Sequence, residues 1–273
     1  MPLTIEGGVA VITGAASGIG TGLARRALAL GMRVVLADVQ AQALADFAAT
    51  LKGTVLAVPT DVADPDSVER LAERAYAEFG QVDLLFNNAG VLTAGFCWEI
   101  PLERFRRELN INVYGVLHGL RSFVPRLLAA KRPAHIVNTA SIGGFLAAPL
   151  MGPYSVSKFA VVALTDTLRA ELELLQAPVG VSLLAPGPVK TGIFDNPFAG
   201  VAGAAAEGMV ETMLSLLAEH GLTPDEFAER VFAGVIEGQY WLIPQPEVFD
   251  ESFRRRTESI VARRNPRNAR KPL

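Results

Sequence analysis

Short runs rich in Val, Ile and Leu alternate with longer segments of helical period along most of this 273-residue chain. Residues 9–13, 33–38, 54–58, 82–86, 134–139 and 180–184 have strand character, and 19–30, 41–51, 65–79, 111–130 and 154–176 have helical character. A strand that is apolar along its whole length has no face to show to water, so both sides of its sheet must be covered. Alternation with helices provides that cover. The pattern predicts an α/β, Rossmann-type, doubly wound parallel sheet of about seven strands with helices on both faces. Ligands of such sheets bind outside the carboxyl ends of the strands, so the loops that follow strands are where chemistry belongs.

Half of the residues are hydrophobic, enough for an ample core, and neither an internal repeat nor a linker interrupts the rhythm, so residues 1–273 are expected to form a single domain. A net charge of −3 with 19% charged residues leaves no basic field for a nucleic-acid backbone. The single Cys97 cannot form an internal disulfide, and His118, His135 and His220 lack metal-ligand spacing, which points to a reducing setting without metal. Residues 1–8 carry no basic segment ahead of an apolar run, and no stretch reaches the roughly 18–20 apolar residues of a membrane span. A soluble, cytoplasmic protein is expected.

Two late segments depart from the alternation. Residues 190–222 are rich in Ala, Gly, Met and Phe, and include Phe194, Phe198, Met209, Met213 and Leu214. A connection this long is usually functional or carries its own helices, so it is expected to be a substrate lid over an apolar pocket, with a dimer or packing surface as the alternative. Residues 250–273 form a basic C-terminal tail containing Arg254, Arg255, Arg256, Arg263, Arg264, Arg267, Arg270 and Lys271, expected to be a solvated helix with a frayed end.

The first strand runs into Thr13-Gly14-Ala15-Ala16-Ser17-Gly18-Ile19-Gly20 at the start of a helix. Gly14 permits the tight turn, Gly18 lets backbone approach a pyrophosphate, and Gly20 lets helix and strand pack closely. The anion would rest on the helix N-terminus, where free N–H groups and the dipole favour negative charge. The second strand ends in Asp38, at the spacing of a carboxylate that accepts from adenosine ribose hydroxyls and repels a 2′-phosphate. Neither Ser17 nor Val39 offers a counter-charge to such a phosphate, so NAD is the expected cofactor. Asp61-Val62 follow the third strand and Asn87-Asn88-Ala89-Gly90 the fourth, at exits on the same side. Asn87 could face the cofactor or cap the turn backbone.

At the reacting end, Ser141 follows the strand ending at Thr139, and Tyr154-Ser155-Val156-Ser157-Lys158 opens a long helix. Residues four apart share one helical face, so the Lys158 ammonium can stand beside the Tyr154 phenol. A neighbouring positive charge is expected to lower the phenol pKa and make Tyr154 a general acid or base at mild pH.

Taken together, Thr13-Gly14-x-x-x-Gly18-x-Gly20, Asn87-Asn88-Ala89-Gly90, Asn112, Ser141, Tyr154-x-x-x-Lys158 and Pro186-Gly187-x-x-x-Thr191 resemble the short-chain dehydrogenase/reductase family, in its shorter single-domain type. The resemblance covers about residues 5–245. It implies catalytic roles for Asn112, Ser141, Tyr154 and Lys158. Tyr154 would exchange the proton with substrate oxygen, Lys158 would hold the nicotinamide ribose, Ser141 would bond the substrate oxygen, and Asn112 would hold a water linking Lys158 to solvent. Pro186, Gly187, Val189 and Thr191 would grip the nicotinamide end. With Gly14, Ser17, Gly18, Ile19, Gly20, Asp38, Val39, Asp61, Val62, Asn88, Ala89, Gly90, Tyr154 and Lys158 they complete the expected cofactor set. Ala140 stands where many relatives carry a second Ser, which leaves Ser141 alone at that step.

Substrate contacts are expected from Ser141, Gly143, Phe145, Leu146, Met151, Tyr154, Pro188 and Phe194. They are mostly apolar, which points to a hydrophobic secondary alcohol or its ketone. Relatives form dimers or tetramers, and the helices after Asn110 and from Tyr154 carry Val113, Val116, Leu117, Leu120, Phe159, Val162, Leu164 and Leu168, more apolar residues than one buried face needs. A homodimer or homotetramer is expected. A sensor that binds NAD without turnover is the alternative in another class; it would need the glycine turn but not the Asn112, Ser141, Tyr154 and Lys158 set. A dehydratase or epimerase is a third possibility, against which the lack of a separate sugar-nucleotide domain speaks.

Overall fold

In the computed structural model, residues 3, 5–194 and 204–265 are described. Seven strands form one sheet in the order β3-β2-β1-β4-β5-β6-β7, every pair parallel. They are β1 Val9–Thr13, β2 Arg33–Asp38, β3 Val55–Pro59, β4 Leu84–Asn87, β5 Ala134–Thr139, β6 Val179–Leu184 and β7 Trp241–Leu242. The order reverses between β1 and β4, the point at which a doubly wound sheet opens a crevice at its carboxyl edge.

Alternation along β1 divides the core. Val9 and Val11 face one side, with Val35, Leu85, Ile136, Phe123 and Leu168. Ala10 and Ile12 face the other, with Leu36, Phe86, Leu23, Phe227 and Phe232. The first side is covered by α3 (Pro65–Phe79), α5 (Gly115–Ala130) and α6 (Gly152–Leu174), and the second by α1 (Gly18–Ala29), α2 (Ala41–Thr50) and α8 (Pro224–Ile236). Gly22 sets the approach of α1 to α8: a Cβ there would stand 2.1 Å from the Pro224 carbonyl oxygen.

The sequence pattern starts a helix at residue 111, whereas the chain is already helical from α4 (Leu102–Leu109) and continues through a π-helical turn over Asn110–Tyr114 into α5. The α4 segment LERFRREL is too polar to look like a core element. Its amphipathic pattern is nevertheless helical, and it packs against α6. The extra residue of the π turn rotates Asn112 inward, a use of π-bulges common at functional sites.

Within 190–222, α7 spans Ala204–His220, while Phe198 lies outside the described residues. The C-terminal segment forms α9 (Pro246–Val261), with no fully buried residue; Arg254, Arg255 and Arg256 lie on it, and Arg267, Arg270 and Lys271 lie outside the described residues. Among the described residues, no helix is long and apolar enough to cross a membrane, and no group of three or more His, Cys, Asp or Glu could hold a metal ion.

His135 on β5 is buried beside Ser182 of β6, with its Nε2 2.7 Å from the Ser182 Oγ. Ser182 gives its one hydroxyl proton to the Gln239 carbonyl at 2.5 Å, so Nε2 must be the donor and Nδ1 bare. Nδ1 faces Gly180, where even a Cβ would come within 2.4 Å, and burial pushes the imidazole pKa down to about 4. The folded value therefore lies below the ordinary unfolded value near 6.5, and the unfolded chain takes up the proton first. Stability from neutral His135 is complete above pH 6.5 and is lost as pH falls toward 4, by about 3 kcal/mol for this group. Urea midpoints measured across pH 4–7 should show that loss in the wild type and a smaller one in His135→Asn; equal losses would show that His135 does not titrate this way.

Candidate active site

The glycine turn and the β4 exit are built as one unit. Thr13 Oγ1 accepts the Asn88 and Ala89 N–H groups at 2.9 and 3.1 Å and donates to the Phe86 carbonyl, while Asn88 Nδ2 donates to the Thr13 carbonyl at 2.9 Å. Gly14 has φ +67°, and a Cβ on it would lie 2.8 Å from Ala89 Cα. Gly18 has φ +53° and faces Thr191, whose Cγ2 would be 3.0 Å from a Cβ there. Thr191, from the loop after β6, thus meets the opening of α1.

This cradle fits a dinucleotide. Ser17 precedes α1 in an extended conformation and makes no side-chain cap, and no acidic residue occupies the first turn, so its N–H groups are free to face a pyrophosphate. Ile19 and Gly20 continue that turn. Asp38 is buried at the β2 exit, where its carboxylate accepts the Ala16 and Gln40 N–H groups, each at 3.0 Å. These bonds fix the carboxylate against the glycine turn. Val39 beside it is 65% exposed. Asp61 is exposed and accepts the Ala63 N–H, and Val62 is buried against Gly115. Asn87 points elsewhere: its amide donates to Asn138 Oδ1 inside the sheet, which answers the question its sequence position left open.

Pro186, Gly187, Pro188 and Val189 follow β6. Val189 bridges to Leu222, and Gln245 Nε2 donates to both the Pro188 and His220 carbonyls, at 2.9 and 2.7 Å. Gln245 was not singled out from sequence, because a glutamine in a late loop has no spacing that marks it. Here it ties both ends of the 190–222 segment to the start of α9.

The reacting groups converge beyond β5. Ser141 Oγ accepts the Gly143 N–H at 3.0 Å, and the Tyr154 ring lies over Gly143, where a Cβ would come within 3.2 Å of Cε1. Lys158 is 4% exposed; its Nζ donates to the Thr139 carbonyl at 3.0 Å and stands 5.6 Å from the Tyr154 ring centroid. Asn112 Oδ1 accepts the Val91 N–H, and its Nδ2 donates to the Val91 carbonyl and to Ser157 Oγ.

The proximity expected of Tyr154 and Lys158 is present, but the phenol pKa moves opposite to the expected direction because burial dominates. Burial pushes the Tyr154 phenol up to about 12, against a lowering contribution from its hydrogen bond with Ser141. Burial also pulls Lys158 down to about 8. Two groups that both leave water lose more than one buried ammonium returns. Tyr154 is thereby kept in its proton-carrying form across the physiological range.

Met151 and Phe194 pack with Leu92, Phe96, Ala94, Leu150, Met209 and Met213, an apolar cluster that joins the loop after β4, the entry to α6 and helix α7. Leu150, at φ +61°, turns the chain into that entry. Phe145 does not join it. Its ring packs edge-on against Trp241 and Phe253, beside a separate apolar hollow lined by Phe159 and Ile260, because the 3₁₀ turn after Ser141 aims residue 145 at α9. The substrate role expected of Phe145 is therefore corrected to a packing role.

The short-chain dehydrogenase family model matches residues 8–201. The chain belongs to the short-chain dehydrogenase family. It is 36% identical to the C alpha-dehydrogenase of Sphingobium sp. strain SYK-6 over 93% of this chain and 85% of that protein. It is 45% identical to 1-deoxy-11-beta-hydroxypentalenate dehydrogenase of Streptomyces arenae over 67% of each. Among solved structures, a short-chain dehydrogenase/reductase from Burkholderia phymatum in complex with NAD superposes with a TM-score of 0.92 at 39% identity, covering 98% of this chain and 99% of that one. As a short-chain dehydrogenase, the protein is an oxidoreductase.

One buried group of this short-chain dehydrogenase was missed in the sequence. Glu108 on α4 lies wholly inside, four residues before Asn112, in a stretch where Glu103, Arg106 and Arg107 are exposed. The packing of α4 against α6 brings it under the site.

Proposed function

We propose that the protein transfers hydride between NAD(H) and a hydrophobic secondary alcohol or its ketone, with Tyr154 as the proton donor and acceptor. The observation that carries this is the burial of the Tyr154 phenol between Ser141 and Lys158 at the carboxyl edge of the sheet, next to an apolar cluster. The bound dinucleotide supplies the hydride donor or acceptor. Gly14, Ser17, Gly18, Ile19 and Gly20 receive its pyrophosphate, Asp38 its adenosine ribose, and Pro186, Gly187, Val189 and Thr191 its nicotinamide end. Ser141 donates to the substrate oxygen and holds it at the phenol, where developing negative charge is stabilised. A phenol that keeps its proton up to about pH 12 is an acid ready to protonate a carbonyl oxygen during reduction. Oxidation requires the phenolate, which the Lys158 ammonium beside the ring stabilises.

The substrate class follows from the apolar cluster next to the site. Leu92, Phe96, Leu150, Met151, Phe194, Met209 and Met213 offer no partner to a sugar or phosphate, and helix α7 serves as part of a lid. The relatives named as dehydrogenases of a C alpha centre and of an 11-beta-hydroxy acid agree with a secondary hydroxyl as the reacting group. A homo-oligomer is supported by Val113, Leu117, Phe159, Val162 and Leu164, which remain half-exposed on α5, its preceding turn and α6.

An absorbance screen of NAD reduction over hydrophobic secondary alcohols, and of NADH oxidation over their ketones, tests the reaction. Higher kcat/KM on a polyol than on every hydrophobic alcohol would reject the substrate class. For the cofactor, Asp38→Ala should lower the NAD over NADP preference in kcat/KM by about tenfold or more, since a charged acceptor for ribose hydroxyls and a repeller of 2′-phosphate both go. Wild-type protein that already favours NADPH would overturn the NAD assignment.

A further inference from the structure

Glu108 is fully buried, and its carboxyl meets the reacting groups through a single side chain. Its Oε1 lies 3.4 Å from Asn112 Nδ2, and the same Nδ2 is 3.0 Å from Ser157 Oγ on α6. Oε2 is buried with no hydrogen-bond partner among the described residues. On the other side of Asn112, Gly90 separates Oδ1 from Lys158 Nζ: a Cβ at Gly90 would be 3.3 Å from the first and 3.4 Å from the second. Carboxyl, amide and ammonium thus stand in file, with Ser157 bracing the amide. A carboxyl wholly out of water is costly unless a charge compensates it.

We propose that Glu108 is a positioning residue for the reaction: its carboxylate orients the Asn112 amide and serves as the internal counter-charge of the Lys158 ammonium, so that Lys158 keeps its proton beside Tyr154. The proposal rests on the dehydrogenase reading given above. Of the titratable groups facing Glu108, Lys158 and Tyr154 come from α6 and Arg107 from its own helix; Thr93, from the loop after β4, is a neutral hydrogen-bonding neighbour. Burial raises the Glu108 carboxyl to about 7, while Thr93, Lys158 and Arg107 pull the other way. Its negative charge in turn raises both Lys158 and Tyr154. The carboxyl consequently changes charge close to neutral pH, where it can set the protonation of the pair.

Removing the charge gives a signed effect. In Glu108→Gln, Lys158 and Tyr154 both lose a raising influence, so the rising limb of kcat against pH for alcohol oxidation should move about one pH unit toward acid. Glu108→Asp, which keeps a carboxyl, should return the limb toward its wild-type position. A limb in Glu108→Gln that superimposes on the wild type overturns the proposal. A second measurement needs no turnover. The Glu108 carboxyl can be titrated by isotope-edited infrared spectroscopy of the whole protein, assigned by its change in Glu108→Asp, with and without Lys158→Met. Loss of the ammonium should raise the Glu108 midpoint by about one unit. An unchanged midpoint overturns the proposal even if Glu108→Gln fails to fold. If no alcohol or ketone is turned over, the dehydrogenase reading fails by itself, and the infrared result still decides whether Glu108 and Lys158 are paired.

Discussion

Replacing Tyr154 by Phe should lower kcat for the best alcohol or ketone by about 10³-fold, within the range that a positioned general acid or base contributes. The substitution removes one oxygen and keeps the ring that lies on Gly143, so packing survives. Ser141 keeps the Gly143 N–H as a partner, and Lys158 keeps the Thr139 carbonyl. The variant should therefore fold, retain its thermal midpoint within a few degrees, and bind NAD with an affinity close to that of the wild type by calorimetry. Loss of turnover with intact NAD binding identifies the phenol as the proton-transfer group. Turnover within about tenfold of the wild type would assign the proton to another residue.

Gly20→Ala should also have a large effect, by a different route. A Cβ at Gly20 would lie 2.0 Å from the Gly14 carbonyl oxygen and 2.8 Å from Ala15 Cα, both backbone atoms that no rotamer change can move. Either α1 shifts off the turn or the turn opens. Strain of this kind costs about 1–3 kcal/mol, which in a domain of this size lowers the thermal midpoint by roughly 3–10 °C. Because the pyrophosphate cradle is the turn itself, NAD affinity should fall by more than about tenfold, the equivalent of 1.4 kcal/mol. A variant with wild-type NAD affinity would show that the dinucleotide is held elsewhere. The contrast is informative: Tyr154→Phe spares binding and removes turnover, whereas Gly20→Ala removes binding first.

Much of this was legible along the chain. The β1, β2 and β5 strands lie at the expected residues, because strands buried on both faces are dominated by Val, Ile, Leu and Ala, and such runs stand out against amphipathic helices. The glycine turn was legible for a related reason, since positive φ and backbone contact at less than a side-chain radius leave almost no other residue possible. The α4 helix was not, because LERFRREL has few apolar residues and its packing partner α6 lies far along the chain. Phe145 was assigned to the substrate by its nearness in sequence to Ser141, and a 3₁₀ turn sends it the other way.

The sequence by itself determined which residues must leave water and where the backbone must bend without a side chain, since periodicity and glycine act locally. From these came the sheet, the cofactor edge and the proximity of Tyr154 to Lys158 one helical turn on. Only the tertiary structure decided how those groups ionise. A pKa depends on the water excluded by every neighbour and on charges brought in from other elements, as with Glu108, which the packing of α4 against α6 buries beneath Asn112. Spacing can place a phenol beside an ammonium, but burial by distant segments determines which of them holds the proton.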